Sequence, residues 1–110
     1  MSDVIVVTTP TIPGYKIVEV KGIVTGVVPR TRGVGGKIIA GFQSLVGGEV
    51  TAYTSEMEKA RKEAIDRMIR KAKEMGANAV VGVDIETSEV FQGVVLISAT
   101  GTAVVVEKED

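Results

Sequence analysis

Between Tyr53 and Met75 the apolar residues recur at spacings of three and four: Tyr53, Met57, Ala60, Ala64, Met68, Ala72 and Met75. That period is the signature of one helix face, and Ile65 and Ile69 widen it. The opposite face is charged, with Glu58/Lys62, Glu63/Arg67 and Asp66/Arg70 four apart. Each such pair adds about 0.2–0.5 kcal/mol to a helix. Ser55-Glu56-Met57-Glu58 has the pattern of a capping box, which places the start at Ser55 or up to a turn earlier, near Thr51. Gly76 follows as a residue suited to a left-handed helix end. A chain with this amphipathic rod must supply an apolar surface for it to lie on.

The flanking segments supply it as strands. Valine and isoleucine dominate them, and their branched Cβ atoms pack well on a pleated surface. Tyr15–Val28 alternates, with Val18, Val20, Val24 and Val28 on one face and Ile17, Glu19, Lys21, Ile23 and Thr25 on the other. Asn78–Thr87 puts Ala79, Val81, Val83 and Ile85 opposite Val80, Gly82, Asp84 and Glu86. Ser88–Gly93 reads as a hairpin loop, and Val94–Glu107 as a third strand. Val4–Thr9 is a short edge strand or an ordered arm, ended by Pro10 and Pro13-Gly14. Pro29–Gly33 reads as a basic loop, and a glycine-containing helix is expected over about Val34–Val46. Its small residues Gly36, Ala40, Ser44 and Gly48 fall four apart. The expected fold is therefore α+β in the order β-α-α-β-β. A three-stranded, mainly antiparallel sheet packs on the long helix, with the short N-terminal strand or arm in addition. At 110 residues the whole chain is expected to form one domain, residues 1–110.

Composition removes several functions. The chain has no cysteine and no histidine. Disulfides, thiolate metal sites and the usual neutral-pH proton shuttle go with them. With 13 basic and 14 acidic residues, no broad field draws the chain to nucleic acid or to an acidic membrane. Only four residues are aromatic (Tyr15, Phe42, Tyr53 and Phe91), and none is interleaved with basic residues as a stacking platform for nucleic acid would need. No apolar run reaches the roughly 18 residues of a membrane span. No basic segment precedes an apolar core at the N-terminus, so no signal peptide is expected. The expectation is a cytoplasmic protein.

A three-stranded sheet with helices on one side should keep a wet second face. Here that face carries Val94, Leu96, Val104 and Val106, with Ile17 and Ile23 beside them. Apolar patches of several hundred Å² usually mark an interaction surface. A homo-oligomer is the expectation.

Several separated segments resemble one family. They are Thr8-Thr9-Pro10 with Pro13-Gly14, Gly22-Ile23-Val24-Thr25-Gly26, Ala40-Gly41-Phe42, Val46-Gly47-Gly48-Glu49 and Gly76-Ala77-Asn78-Ala79-Val80-Val81-Gly82-Val83-Asp84, with Gly101-Thr102-Ala103-Val104 near the end. On these the chain is identified as a member of the YbjQ family, sometimes labelled as heavy-metal-binding. The resemblance implies the topology above and a ring-like homo-oligomer, a pentamer. It implies no reaction. Many relatives carry an Arg-Asp pair where this chain has Gly36 and Lys37.

Three sites follow from residue chemistry. The family label points to metal, but Zn²⁺ and Cu⁺ lack their nitrogen and sulfur ligands here. Asp84 and Glu86, with Ser88 on the same face and Glu89 next along, leave an oxygen site for a hard cation such as Ca²⁺ or Mg²⁺. Solvated or ion-paired carboxylates are the bland alternative. Arg30, Arg32 and Lys37 surround a glycine-rich helix entry suited to an anion. The spacing matches neither a Walker A loop nor a dinucleotide fingerprint, and a tight turn explains the glycines equally well. Catalysis needs an activated nucleophile beside a base. The hydroxyl row Ser98, Thr100 and Thr102 has no histidine to serve it, and reads as a hydrogen-bonded seam. A non-enzymatic structural or binding protein is expected, with no cofactor named. A small-ligand, anion or metal-ion binding ring is the alternative.

Overall fold

The computed structural model describes residues 4–31, 48–91 and 94–110, and no side chains at 31, 48–54, 90 and 91. In chain order the elements are β1 (Ile5–Val6), β2 (Tyr15–Thr31), α1 (Gly48–Glu74), β3 (Ala79–Phe91) and β4 (Val94–Lys108). The four strands form one sheet in the order β1-β3-β4-β2. β4 is antiparallel to both β2 and β3, whereas β1 runs parallel to β3. The sheet is thus four-stranded and mixed, which corrects the three-stranded reading. The Val4–Thr9 run joins the sheet because Ile5 and Val7 donate to the carbonyls of Asn78 and Val80, at 3.1 and 3.0 Å. The helix expected over Val34–Val46 lies outside the described residues.

Helix α1 lies over β2 and β4, and only lightly over β3. Its stripe of Ala60, Ala64, Met68 and Ala72 is completely buried. It packs on Val24 and Val28 of β2 and on Val95, Ile97, Ala99 and Ala103 of β4. Alanine at these sites permits close approach. Gly26 of β2 completes the fit, because a Cβ there would overlap the Ala64 carbonyl. The helix ends in a Schellman arrangement. Ala77 N–H donates to Ala72 O and Gly76 N–H to Lys73 O, both at 3.0 Å, with Gly76 at φ 84°. The N-terminal reading is corrected: α1 begins at Gly48, so Ser55 sits inside the helix. Ser55, Glu56 and Glu58 are exposed, and an exposed helical face accommodates a Ser-x-x-Glu pattern as readily as a cap does.

Two strands are longer than the sequence suggests. β2 continues through Pro29, Arg30 and Thr31, and β3 continues to Phe91. The basic loop and the hairpin loop are therefore largely strand. Pairing with β4 overrides the turn preferences of Pro29 and Ser88, which lie opposite the same residue, Leu96.

Bulges also change which side chains share a face. Register shifts fall between Ile17 and Glu19, between Val20 and Gly22, and between Val81 and Asp84. Gly82 takes φ 62° in the last of these. A one-residue insertion turns every following side chain over. Val20 therefore sits on the face away from the helix, opposite Val104, while Val24 and Val28 face the helix. Likewise Val80 and Val83 pack beneath α1, whereas Ala79 and Val81 point away.

The face away from α1 divides into two halves. Near the N-terminus, Ile12 joins Ala79, Val81, Val104 and Val106 in a second buried cluster, with Ile5, Val7 and Tyr15 against it. The N-terminal segment thus covers part of the apolar second face itself. Beyond it, Ile23, Val27, Val94 and Leu96 remain half-buried or exposed. The Cα radius of gyration is 17.2 Å, against about 13 Å for a compact chain of this length. The long axis of 58 Å matches the ~56 Å of a 17-residue strand such as β2. Among the described residues no helix is long and apolar enough to cross a membrane.

Candidate functional site

The uncovered half of the second sheet face gathers most of the residues singled out above. Strand register sets them in rows across β3, β4 and β2. Asp84, Thr100 and Thr25 form one row, and Glu86, Ser98 and Val27 the next, followed by Ser88, Leu96 and Pro29. Asp84 and Glu86 are exposed. They come onto this face because of the bulge at Gly82, without which they would turn toward α1. The Thr25 and Thr100 hydroxyls lie 3.3 Å apart and share a hydrogen bond. Thr100 of the hydroxyl row is thus engaged across strands.

Of the three basic candidates, Arg32 and Lys37 lie outside the described residues. Arg30 sits on the helix side of β2 and is engaged by carboxylates of α1. Its Nη2 donates to Glu63 Oε1 at 2.9 Å, and its Nε lies 3.8 Å from Glu56 Oε1. Glu63 also accepts from Arg67 Nη2 at 2.7 Å. Held chiefly by the Arg30 hydrogen bond, with the Arg67 charge beside it, the Glu63 carboxyl titrates below its ordinary range. The i, i+4 pattern gave the Glu63–Arg67 pair. It gave no sign of Arg30, which reaches Glu63 only because α1 crosses the end of β2.

Arg67 has a second role that the sequence does not signal. Its Nη1 donates to the Val27 carbonyl at 2.6 Å. Arg30 Nη1 likewise donates to the Pro29 carbonyl at 3.0 Å. Val27 and Pro29 are two apart in a regular stretch, so their backbone groups point the same way. Pro29 has no N–H to offer β4, which places both carbonyls on the outer edge of β2. Two guanidinium groups therefore occupy that edge. Proline and charge at a strand edge block further strand addition.

The next outward positions of β2, Ile23 and Thr25, carry no such cap among the described residues. Ile23 is 78% exposed and Val20 is 64% exposed. Asn78 is a further residue that reading the sequence missed. Its side-chain amide donates to Val106 O at 3.0 Å and accepts from Val106 N–H at 2.8 Å. The side chain thereby stands in for a backbone partner at the end of β4.

A metal fits this donor set poorly. The chain offers no thiolate and no imidazole, so thiophilic metals lack their ligands. Among the described residues no group of three or more carboxylates could hold an ion. Among the described residues, one protomer brings Asp84 and Glu86 to the face.

Comparison with known proteins places the chain. The profile of the YbjQ family, described as "putative heavy-metal-binding", matches residues 4–107. A UPF0145 protein of Pyrococcus furiosus is 53% identical over 109 residues, covering 99% of this chain and 96% of its own. One from Sulfurisphaera tokodaii is 51% identical over 107 residues, covering 97% and 94%. The crystal structure of a DUF74-family protein from Pediococcus pentosaceus superposes with a TM-score of 0.62 at 17% identity, over 94% of this chain and 98% of that one. This likeness extends to the fold alone. With motifs, profile and near relatives in agreement over nearly the full length, the chain belongs to the YbjQ (UPF0145) family.

Proposed function

We propose that this protein is a non-enzymatic structural or binding protein that works as a homo-oligomeric ring. The observation that carries the reading is the apolar strip on β2. Val20 and Ile23 are 64% and 78% exposed on a long edge strand, in a protomer more extended than its length requires. Isolated exposed valines are ordinary, but a strip on an open strand edge is not. A ring of copies buries it and removes the edge at once. Five copies is the number that the family resemblance implies. The non-enzymatic reading rests on the absence of histidine and cysteine and on the cross-strand bond that engages the Thr100 hydroxyl.

Light scattering on a sizing column tests this. A mass near five times 11.6 kDa, stable on dilution, supports the reading, and a monomer overturns it.

A second reading rests on the position of Asp84 and Glu86. They are exposed side by side on the face that also carries the hydroxyl row. A ring repeats the pair around its axis and gathers oxygen ligands suited to a hard cation. The anion site at Arg30, Arg32 and Lys37 has less support, since Arg30 is already paired with Glu63.

A further inference from the structure

The N-terminal segment, residues 4–14, meets β3 where β3 is irregular. Ile5 N–H donates to Asn78 O and Val7 N–H to Val80 O, as in an ordinary parallel pair. The next two bonds are not ordinary. Gly82 N–H donates to Thr9 O at 2.9 Å, and Val83 N–H donates to Val7 O at 3.1 Å. Consecutive amides of a regular strand point to opposite edges. Here both point to one edge, and both end on the N-terminal segment. Gly82 and Val83 are the bulge itself, lying between Val81 opposite Thr102 and Asp84 opposite Thr100. Gly82 holds the left-handed φ of 62° within it.

The same segment is anchored on both sides of the sheet. Ile12 is buried against Ala79, Val81, Val104 and Val106. Val4 and Val6 pack against the helix-side cluster, and Ile5 and Val7 against the other. Pro10 and Pro13 narrow the conformations open to the segment when it is undocked, which favours docking.

We infer that the N-terminal segment is a clip that holds the Gly82 bulge, so that its docking and the presentation of Asp84 and Glu86 on the second face are one event. Val7 and Thr9 supply carbonyls to two adjacent amides, an arrangement that only a bulged β3 presents. Without the clip both amides lose these partners. Val83 is buried, and an unpartnered amide there is costly. A regular β3 continuing from Val81 would set Val83 opposite Thr100 on the second face and turn Asp84 toward α1. Release of the clip is therefore an internal motion that withdraws the carboxylate pair. The clip acts within one protomer, whatever the number of copies and whatever Asp84 and Glu86 bind.

Coupling of this kind is reciprocal, so it is tested from both ends in the full chain. From the arm, Ile12→Ser weakens docking, and the bulge is read by thiol labelling of a Val83→Cys variant, the chain having no other cysteine. From the bulge, Gly82→Val disfavours the positive φ, whereas Gly82→Asn tolerates it. A side chain at Gly82 meets nothing within 4 Å, so backbone conformation alone is altered. The arm is then read by hydrogen exchange at Ile5 and Val7, whose own bonds go to Asn78 and Val80 and not to the bulge. Val28→Ala, in the helix-side cluster, serves as the control for general loss of stability.

The expected result is labelling of Val83→Cys faster by about tenfold or more with Ile12→Ser, and exchange at Ile5 and Val7 faster by a similar factor with Gly82→Val. Gly82→Asn should change little, and Val28→Ala should leave both readouts near the native rates. Protection of Val83→Cys in a folded Ile12→Ser protein overturns the clip, as does unchanged exchange in Gly82→Val. Equal loosening by Gly82→Asn and Gly82→Val, or the same response to Val28→Ala, also overturns it, because the arm would then respond to something other than the bulge. Should Ile12→Ser fail to fold, the two Gly82 variants decide alone.

Discussion

Gly26 of β2 lies directly beneath the backbone of Ala64 in α1. A Cβ at Gly26 would overlap the Ala64 carbonyl oxygen and come 2.6 Å from the Met68 nitrogen. Backbone atoms cannot rotate away, so Gly26→Ala must push the helix off the sheet. Overpacking of this kind costs about 1–3 kcal/mol or more. Gly101→Ala meets Val80 Cγ1 at 2.6 Å and Val83 Cγ2 at 3.0 Å, which are side-chain methyls able to yield in part. Thermal melts of the two variants should show the larger fall for Gly26→Ala. The reverse order would mean that α1 adjusts its height more easily than the valines repack.

Glu63 predicts an acid dependence. Its folded-state pKa lies below the ordinary value because of Arg30 and then Arg67. Its contribution to stability is therefore present above the unfolded pKa and is lost as pH falls through the lowered folded value. The melting temperature should fall on acidification through that window in the native chain, and less in Glu63→Gln. The side chain is 40% exposed, so added salt should shrink the difference. Identical pH profiles for the two proteins would remove Glu63 from the account.

Arg67 guards an edge. Arg67→Ala uncovers the Val27 carbonyl and removes a barrier to strand addition. The expected outcome is a concentration-dependent rise in light scattering and thioflavin binding, with Arg67→Lys intermediate because it restores the charge without the planar fork. Unchanged solubility of Arg67→Ala would show that Pro29 alone suffices.

Asn78 closes β4 through a pair of bonds to Val106. Asn78→Ala leaves both groups of Val106 without that partner and should cost about 1–3 kcal/mol, read by denaturant melts. Asn78→Asp keeps the acceptor and loses the donor, and should fall between.

Metal preference follows from donor chemistry. Calorimetric titration with Zn²⁺ or Cd²⁺ should give no saturable heat, since the chain has neither thiolate nor imidazole. Heat with Ca²⁺ that disappears in Asp84→Asn would favour the cation-binding ring. Heat with Zn²⁺ would contradict the ligand argument.

Much of the architecture was legible in the chain. The spacing of Ala60, Ala64, Met68 and Ala72 named the buried helix face, and Gly76 its end. The valine-rich runs named three strands. What misled was local. Pro29 and Ser88 carry turn preferences, yet both are paired in strand. The period-two reading placed Val20 with Val24, but bulges part them. A bulge depends on the partner strand's register, and no run of residues in one strand records it.

The candidate site divides the same way. Asp84 and Glu86 were visible as carboxylates two apart on a strand. Arg30 was visible as a cation, but its partners were not. Glu63 lies 33 residues further along, and only the crossing of α1 over β2 joins them. The sequence by itself determined the elements, because hydrophobic period is a property of neighbouring residues. Only the tertiary structure decided the faces, the capped edge and the open one, because those depend on register and helix placement, which contacts distant in sequence fix.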